Sequence, residues 1–369
     1  MSLPSTYRSF RRSEPPYPLT LVPTTSPLPS PSSLAPTTLL VRVHAVSLNF
    51  RDSSMLAGTY PSVTKPSCIP CMDCAGEVVA RGSAVKGFEI GDRVMPTCDL
   101  THLGREGKVK NPLTAEGVVE KGVDERDLGF WALGAETNGV LAEYVMFEEE
   151  WMVKVPNGID WVEAATLPCV GVTAWKCLNG LEEVREDSVA LLQGTGGVSM
   201  FSLLLCIAAG ITPIITSSSD QKLAKLKELG PQVQTINYKT KNVVEEVMRL
   251  TEGKGVDYVV NNIGAASVPD DVKVLRKRHG TIALVGFLGG FQAHQWQADV
   301  LLTLMLKAAK LQGVLAGSRK DFENLNKFLE EKKVRLDPIL DRVFSFEESA
   351  AAFQYLDSGS HVGKVVIKM

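Results

Sequence analysis

The sequence predicts an α/β protein of two domains, one β-rich and one built on a doubly wound parallel sheet. Three observations predict it. The chain has 369 residues, enough for about two domains at roughly 150 residues each. Its texture changes near Trp161, from glycine-punctuated β-like segments to apolar runs that alternate with helix-like ones. In the second region a glycine-rich turn, Gly194-Thr195-Gly196-Gly197, joins an apolar run to a helical pattern.

Taken in order, residues 1–38 are rich in Pro, Ser and Thr, but Leu19, Leu21, Leu39, Val41 and Val43 alternate with other residues, so short strands joined by a Pro-rich turn are expected. Segments 39–46, 75–80 and 93–96 read as strands, and 101–137, with six glycines and many charges, as a long surface loop or lid. Beyond Trp161 the order is strand 188–192, helix 198–209, strand 213–217, helix 221–229, strand 234–237 and helix 243–251. Strand 256–261, helix 269–276, strand 281–286 and strand 311–316 follow. Helices at 322–331 and 346–356 and a strand at 364–368 close the chain. Strand and helix in alternation are the mark of a parallel sheet covered on both faces.

Composition excludes several classes of function. Apolar residues make up 44% of the chain and charged residues 22%, so a sizeable core is expected rather than disorder. Lys plus Arg is 39 against 42 for Asp plus Glu, a net charge of −3. That balance argues against nucleic acid as a partner. No apolar run reaches the roughly 18 residues of a membrane span. The N-terminal segment has no apolar core of a secretory leader, and seven cysteines in so long a chain do not make a disulfide scaffold. A reducing, cytoplasmic setting is expected. Cys68, Cys71 and Cys74 have the spacing of iron–sulfur ligands but no fourth cysteine nearby, and read as buried free thiols.

The chemistry is carried by Gln193-Gly194-Thr195-Gly196-Gly197-Val198-Ser199. Between a strand and a helix, Gly194 permits a tight turn and Gly196 lets a pyrophosphate approach the backbone, while free N–H groups of Gly197 and Val198 meet its charge. Ser199 stands where the dinucleotide fingerprint has its third glycine. At the end of the next strand an NAD site carries a carboxylate for the ribose hydroxyls. Here Ser217, Ser218 and Ser219 occupy that end, followed by Lys222. Hydroxyls and an ammonium suit a 2′-phosphate, so NADPH is the expected cofactor. Asp220 is expected to cap the next helix. Asn262, Gly264, Gly286 and Leu288 follow the later strands, where a dinucleotide crosses such a Rossmann sheet.

With these residues the chain resembles the medium-chain dehydrogenase/reductase superfamily, of the zinc-free quinone oxidoreductase or enoyl reductase kind. The resemblance runs from about Leu39 to Met369. It rests on VHAVSLNFRD at 43–52, GTYP at 58–61, GEV at 76–78, GDRV at 91–94, GVLAEY at 139–144, AATLP at 164–168, GVTAW at 171–175, the glycine turn and HVGK at 361–364. It implies a GroES-like catalytic domain from 1–159 and 318–369 and a Rossmann NADP(H)-binding domain from 160–317. It implies an active site in the cleft between them, and a homodimer paired through the strand at 311–316. Thr173 is expected to touch the nicotinamide end. Tyr60 matches the tyrosine that enoyl thioester reductases of this family place at the site, and Asn49 is expected beside the nicotinamide ribose. The catalytic zinc positions of other members are filled here by Asn49, Met72 and Cys169. Asn and Met are poor zinc ligands, Asp73 and Cys169 alone do not close a site, and only Cys98 falls near the region of the structural zinc lobe. No zinc is therefore expected.

Three readings of function follow. The first is zinc-independent, NADPH-dependent hydride transfer to an activated C=C of a small enone, enoyl or quinone substrate. The second is an NADP-linked alcohol dehydrogenase or carbonyl reductase, and the third a non-redox or structural NADPH-binding protein.

Overall fold

The computed structural model describes residues 3–61, 64–102, 129–290, 296 and 298–369, together with the backbone of 108–109 and 123–124. Most of the loop expected at 101–137 lies outside them. By its contacts the chain divides into two units: Met1–Val172 with Ala316–Glu331 and Leu336–Met369, and Thr173–Leu315 with Lys332–Arg335. Residues 160–172, expected in the second domain, fall in the first unit, because the short helix Trp161–Ala164 packs on strands Thr38–Ser47 and Asp73–Arg81.

The first unit is organised by a sheet in the order Leu340–Ser345, Lys364–Lys368, Thr38–Ser47, Asp73–Arg81, Arg93–Pro96 and Met152–Lys154, with Tyr144–Glu148 paired to Thr38–Ser47. Leu39, Val41, Val43 and Val46 are all buried in its long strand. Register shifts after Leu40 and Val43 bend that strand, as bulges do. The C-terminal strand buries Val365, Val366 and Ile367 and brings Lys364 beside the start of the domain. The Pro-rich N-terminus does form strands, Thr6–Arg12 against Leu21–Pro27. Arg8 anchors the hairpin on Glu143 and Glu347. Several elements were not expected, among them strands Tyr144–Glu148, Met152–Lys154 and Leu340–Ser345 and helices Trp161–Ala164 and Ala298–Leu306. Phe50–Ala57 is a helix, entered at Asn49, whose backbone N–H donates to Asp52 Oδ2 at 2.8 Å. Cys68, Cys71 and Cys74 are buried with free thiols.

The second unit is a six-stranded parallel sheet in the order Gln234–Asn237, Thr212–Ser217, Val189–Leu192, Tyr258–Asn261, Thr281–Leu284, Lys310–Gly313. The strand order reverses between Val189–Leu192 and Tyr258–Asn261, the switch point at which such sheets bind ligands beyond their C-terminal strand ends. Leu191, Ile214, Val259 and Ile282 are buried between the helices on the two faces, which is why these strands read as continuous apolar runs. The last strand, expected at 311–316, is Lys310–Gly313. It ends the sheet with one edge unpaired by the described residues. Beside it in sequence, helix Ala298–Leu306 exposes Leu301, Leu302, Met305 and Leu306. No helix among the described residues is long and apolar enough to cross a membrane.

Candidate functional site

In the second unit the strand Val189–Leu192 leads through the glycine turn into helix Gly197–Ala209. Gly194 has φ +81°, a conformation that carries a steric cost for any side chain. Its N–H donates to Thr216 Oγ1 at 3.1 Å. A Cβ built on Gly194 or Gly196 would meet nothing within 4 Å, so space lies open against the backbone where a phosphate would approach. Gly196 caps the helix without a side-chain hydrogen bond, so no side chain competes for the N–H groups of Gly197 and Val198. Thr195 is 9% exposed. The hydroxyl of Thr173 is buried and has no partner among the described residues. A buried orphan hydroxyl carries a free-energy cost unless something bonds it. These observations fit a dinucleotide.

Ser199 is accommodated rather than anomalous. Its Oγ donates to the Gln193 carbonyl at 2.7 Å and accepts from Asn262 Nδ2 at 2.9 Å. Asn262 therefore faces into the base of the turn, and its carbonyl accepts from Leu288 N–H at 3.0 Å. A Cβ on Gly286 would lie 2.6 Å from that carbonyl, so only glycine permits the approach. Gly264, at φ +101°, donates its N–H to Asn261 Oδ1. Leu288 is exposed. Beneath the turn lies a carboxylate that sequence reasoning missed. Asp271 accepts from Gln193 Nε2 at 2.7 Å, Asn261 Nδ2 at 2.7 Å and Ser267 Oγ at 3.1 Å. Burial pushes its carboxyl up to about 7, against the pull of those donors. The available signal was an acid three residues after Val268 and one before Val272, on the apolar face of helix Val268–Val274.

At the second strand end Ser217 is buried and its Oγ accepts from Ser219 N–H at 3.2 Å, while Ser218 is exposed and Lys222 half-buried. The expected helix cap is corrected. Ser219, not Asp220, caps Asp220–Lys227 by accepting from Lys222 N–H. Asp220 instead accepts from Asn237 Nδ2 at 2.8 Å.

The first unit gathers a second cluster. Asn49 donates from Nδ2 to Asp73 Oδ2 at 2.8 Å, and its Oδ1 accepts from Lys364 Nζ at 2.6 Å. Lys364 also donates to the Leu48 carbonyl at 2.6 Å and lies 3.5 Å from Asp73 Oδ2. Both ends of the Asn49 amide are thus engaged by protein. Asp73 is fully buried, and burial lifts its carboxyl to about 6 although Lys364 and Asn49 oppose the shift. Arg51 donates to Met72 Sδ at 3.1 Å and to the Leu133 carbonyl at 2.9 Å. Its guanidinium also lies 5.7 Å from the centre of the half-buried Tyr60 ring. Burial raises the Tyr60 phenol, and Arg51 works against the rise.

The zinc positions expected from the resemblance divide. Asn49 and Met72 do not fit a metal, since each already faces a cation, Lys364 or Arg51. Asp73 and Cys169, which alone do not close a site, have a third potential donor nearby. Cys98, set apart in sequence, places its Sγ 3.6 Å from Asp73 Oδ1. One ligand atom each from Asp73, Cys98 and Cys169 lie within 4.8 Å of one another. That donor set, one carboxylate and two thiols, fits zinc chemistry.

Residues 35–157 match the alcohol dehydrogenase GroES-like domain, and residues 197–331 match the zinc-binding dehydrogenase model. The chain is 32% identical over 342 residues to a zinc-type alcohol dehydrogenase-like protein of Schizosaccharomyces pombe, covering 92% of this chain and 93% of that one. It is 28% identical over 335 residues to the 2-methylene-furan-3-one reductase of Solanum lycopersicum, covering 89% of this chain and 71% of that one. A solved Sinorhizobium meliloti structure, provisionally named an alcohol dehydrogenase, superposes with a TM-score of 0.85 at 30% identity over the whole of both chains. Together with the glycine turn at the sheet's switch point, these likenesses establish that the chain belongs to the medium-chain dehydrogenase/reductase superfamily of oxidoreductases.

Proposed function

We propose that the protein is an NADPH-dependent reductase of activated C=C bonds, of the enone, enoyl or quinone type. The observation that carries the cofactor half is the open glycine turn with the orphan Thr173 hydroxyl. Ser217 in place of a carboxylate, followed by Lys222, supports NADPH over NADH. Bound NADPH supplies the hydride. The chain's own residues do the rest. Gly197 and Val198 N–H groups receive the pyrophosphate charge, and the polar layer of Gln193, Asn262 and Ser199 holds the turn in shape. Tyr60 donates the proton that the developing enolate needs; a phenol is protonated at neutral pH, and Arg51 opposes the upward shift that burial imposes on it. Asn49 acts by fixing Asp73 and Lys364, since both its amide ends are engaged. No step of this reading needs a metal at the positions of Asn49 and Met72.

The likeness to the methylene-furanone reductase supports C=C reduction, because that compound, by its name, is an enone. The likeness to alcohol dehydrogenases supports the carbonyl reading instead. Oxidation of NADPH with matched enone, enoyl thioester, quinone and aldehyde acceptors, followed by product analysis, separates the two. Saturated ketone products support the proposal, alcohols replace it with the carbonyl reading, and tight NADPH binding without turnover replaces both with a non-redox role. We also propose a cytoplasmic homodimer acting on a small molecule. Seven free cysteines support the compartment. The edge strand Lys310–Gly313 and the exposed apolar side chains of Ala298–Leu306 support the pairing.

A further inference from the structure

We infer that Asp271 is a positioning residue whose buried carboxyl takes up one proton as NADPH binds to the glycine turn above it. The inference rests on the cofactor reading proposed above and adds a proton to the binding step. Asp271, Gln193 and Asn261 are all buried. Every polar contact of the carboxyl is to a neutral donor: Gln193 Nε2 at 2.7 Å, Asn261 Nδ2 at 2.7 Å and Ser267 Oγ at 3.1 Å. No cation among the described residues pairs with it. An ionised carboxyl enclosed without a counter-charge is costly, so a proton competes for the place.

The carboxyl sets the shape of the turn through two amides. Because Gln193 Nε2 donates to Asp271, its Oε1 is left to accept from Ile263 N–H at 3.4 Å. Asn261 Nδ2 also donates to Asp271, and its Oδ1 accepts from Gly264 N–H at 2.6 Å. These bonds hold the segment 262–264, where Asn262 Nδ2 donates to the Gln193 carbonyl at 3.1 Å and to Ser199 Oγ at 2.9 Å. Gly194 follows Gln193 directly. Charge received by the turn therefore arrives one glutamine side chain away from the carboxyl.

The network receives a proton without losing a hydrogen bond. Ser267 Oγ lies 3.1 Å from Asp271 Oδ2 and 3.3 Å from the Gly264 carbonyl. In the ionised state the serine O–H donates to Asp271. With a proton on Oδ2 the carboxyl donates to Ser267 Oγ, and the serine O–H turns to the Gly264 carbonyl. The proton comes from solvent, and no electron moves. One negative charge roughly 10 Å from a carboxyl, at an effective dielectric constant of about 20, makes it hold its proton about tenfold more tightly. Burial has already brought Asp271 up to about 7, so the exchange falls near neutral pH.

The other charges near helix Val268–Val274 have their own settings. Asp270, which pushes Asp271 further up, pairs with Lys273 at 2.8 Å. Against this helix packs Val243–Leu250, where Glu246 pairs with Lys241 and Arg249 and Glu245 is exposed. On Ala298–Leu306 the exposed Asp299 acts on Lys273. Lys307 Nζ donates to the carbonyls of Val272, Lys273 and Leu275. Strand Thr281–Leu284 carries no charge.

The experiment measures the proton directly. NADPH is titrated calorimetrically into the whole chain at pH 7.5, in two buffers of different ionisation enthalpy. A tenfold tightening of a carboxyl near 7 predicts uptake of roughly half a proton per NADPH, and a Kd that rises roughly eightfold from pH 6 to pH 9. Asp271→Asn is expected to bind NADPH without the uptake, and Asp270→Asn to keep it. A readout on the unsubstituted protein guards against a misfolded variant. At pH 8, NADPH should bring up the carbonyl band of a protonated carboxyl in the infrared difference spectrum. Binding without uptake, uptake that persists in Asp271→Asn (as it would were Asp73 the acceptor), or absence of the band would each overturn the inference and leave the cofactor reading standing. Failure of the wild type to bind NADPH would overturn both.

Discussion

Replacing Asp271 by asparagine isolates the energetics of the layer under the glycine turn. Asp271 is 3% exposed and accepts three hydrogen bonds, yet burial lifts its carboxyl from an ordinary 3.8 to about 7. A carboxyl whose folded pKa is raised holds its proton more tightly when folded. Its contribution to stability is therefore full below pH 4 and is lost as pH climbs through about 7. At ~1.36 kcal/mol for each pKa unit the whole loss is about 4 kcal/mol, more than half of which falls between pH 5 and pH 8. The amide of the Asp271→Asn variant does not titrate. Its NH₂ would face Asn261 Nδ2, leaving one hydrogen bond unmade at a cost of ~1–3 kcal/mol at every pH. Urea unfolding of the cofactor-free protein measures the difference. Asp271→Asn is expected to gain ~2–3 kcal/mol relative to wild type between pH 5 and pH 8. A difference that stays flat over that range refutes the reasoning. It would mean that the three donors keep the carboxylate ionised throughout.

Tyr60→Phe removes the proposed acid and should slow reduction roughly 100-fold or more while leaving NADPH affinity unchanged; fluorescence titration and steady-state rates check both halves. Ser217→Asp puts a carboxylate where a 2′-phosphate would sit, and should lower the NADPH-to-NADH preference at least ~10-fold, about 1.4 kcal/mol in binding. Lys364→Met leaves the Asn49 and Leu48 oxygens and Asp73 without their buried cation. A loss of ~3–5 kcal/mol is expected on chemical unfolding, the range for breaking a buried ionic contact from one side. Leu302→Glu with Met305→Glu charges the exposed face of Ala298–Leu306; if the proposed pairing holds, sedimentation is expected to show a dimer for the wild type and a monomer for the variant.

Local rules carried the second unit far. Short apolar runs bounded by glycines, and a helix that opens on Gly197, placed six strands within two residues of most of their ends. Boundaries drifted where a strand's last residues leave the ladder, as at 281–286, which pairs only over Thr281–Leu284. The first unit was harder. Helix Phe50–Ala57 was hidden because its sequence, FRDSSMLA, has no strong apolar stripe. It is held by Asn49 and Asp52 at its start and by burial of Met55.

The candidate sites show the same division. The glycine turn lies within seven consecutive residues, and a backbone geometry that only glycine tolerates leaves its mark in the residue string itself. Strand alternation, the turn, the second strand end and the family likeness could all be read before any coordinate. The meeting of Asp73, Cys98, Cys169, Asn49 and Lys364 could not, since 315 positions separate Lys364 from Asn49. Nor could the choice of Ser219 over Asp220 as a cap, or the burial of Asp271 under Gln193. Those outcomes turn on which donor reaches which acceptor once the sheets have closed. Such pairings come from long-range packing and charge compensation, and neither has a period that the sequence can display.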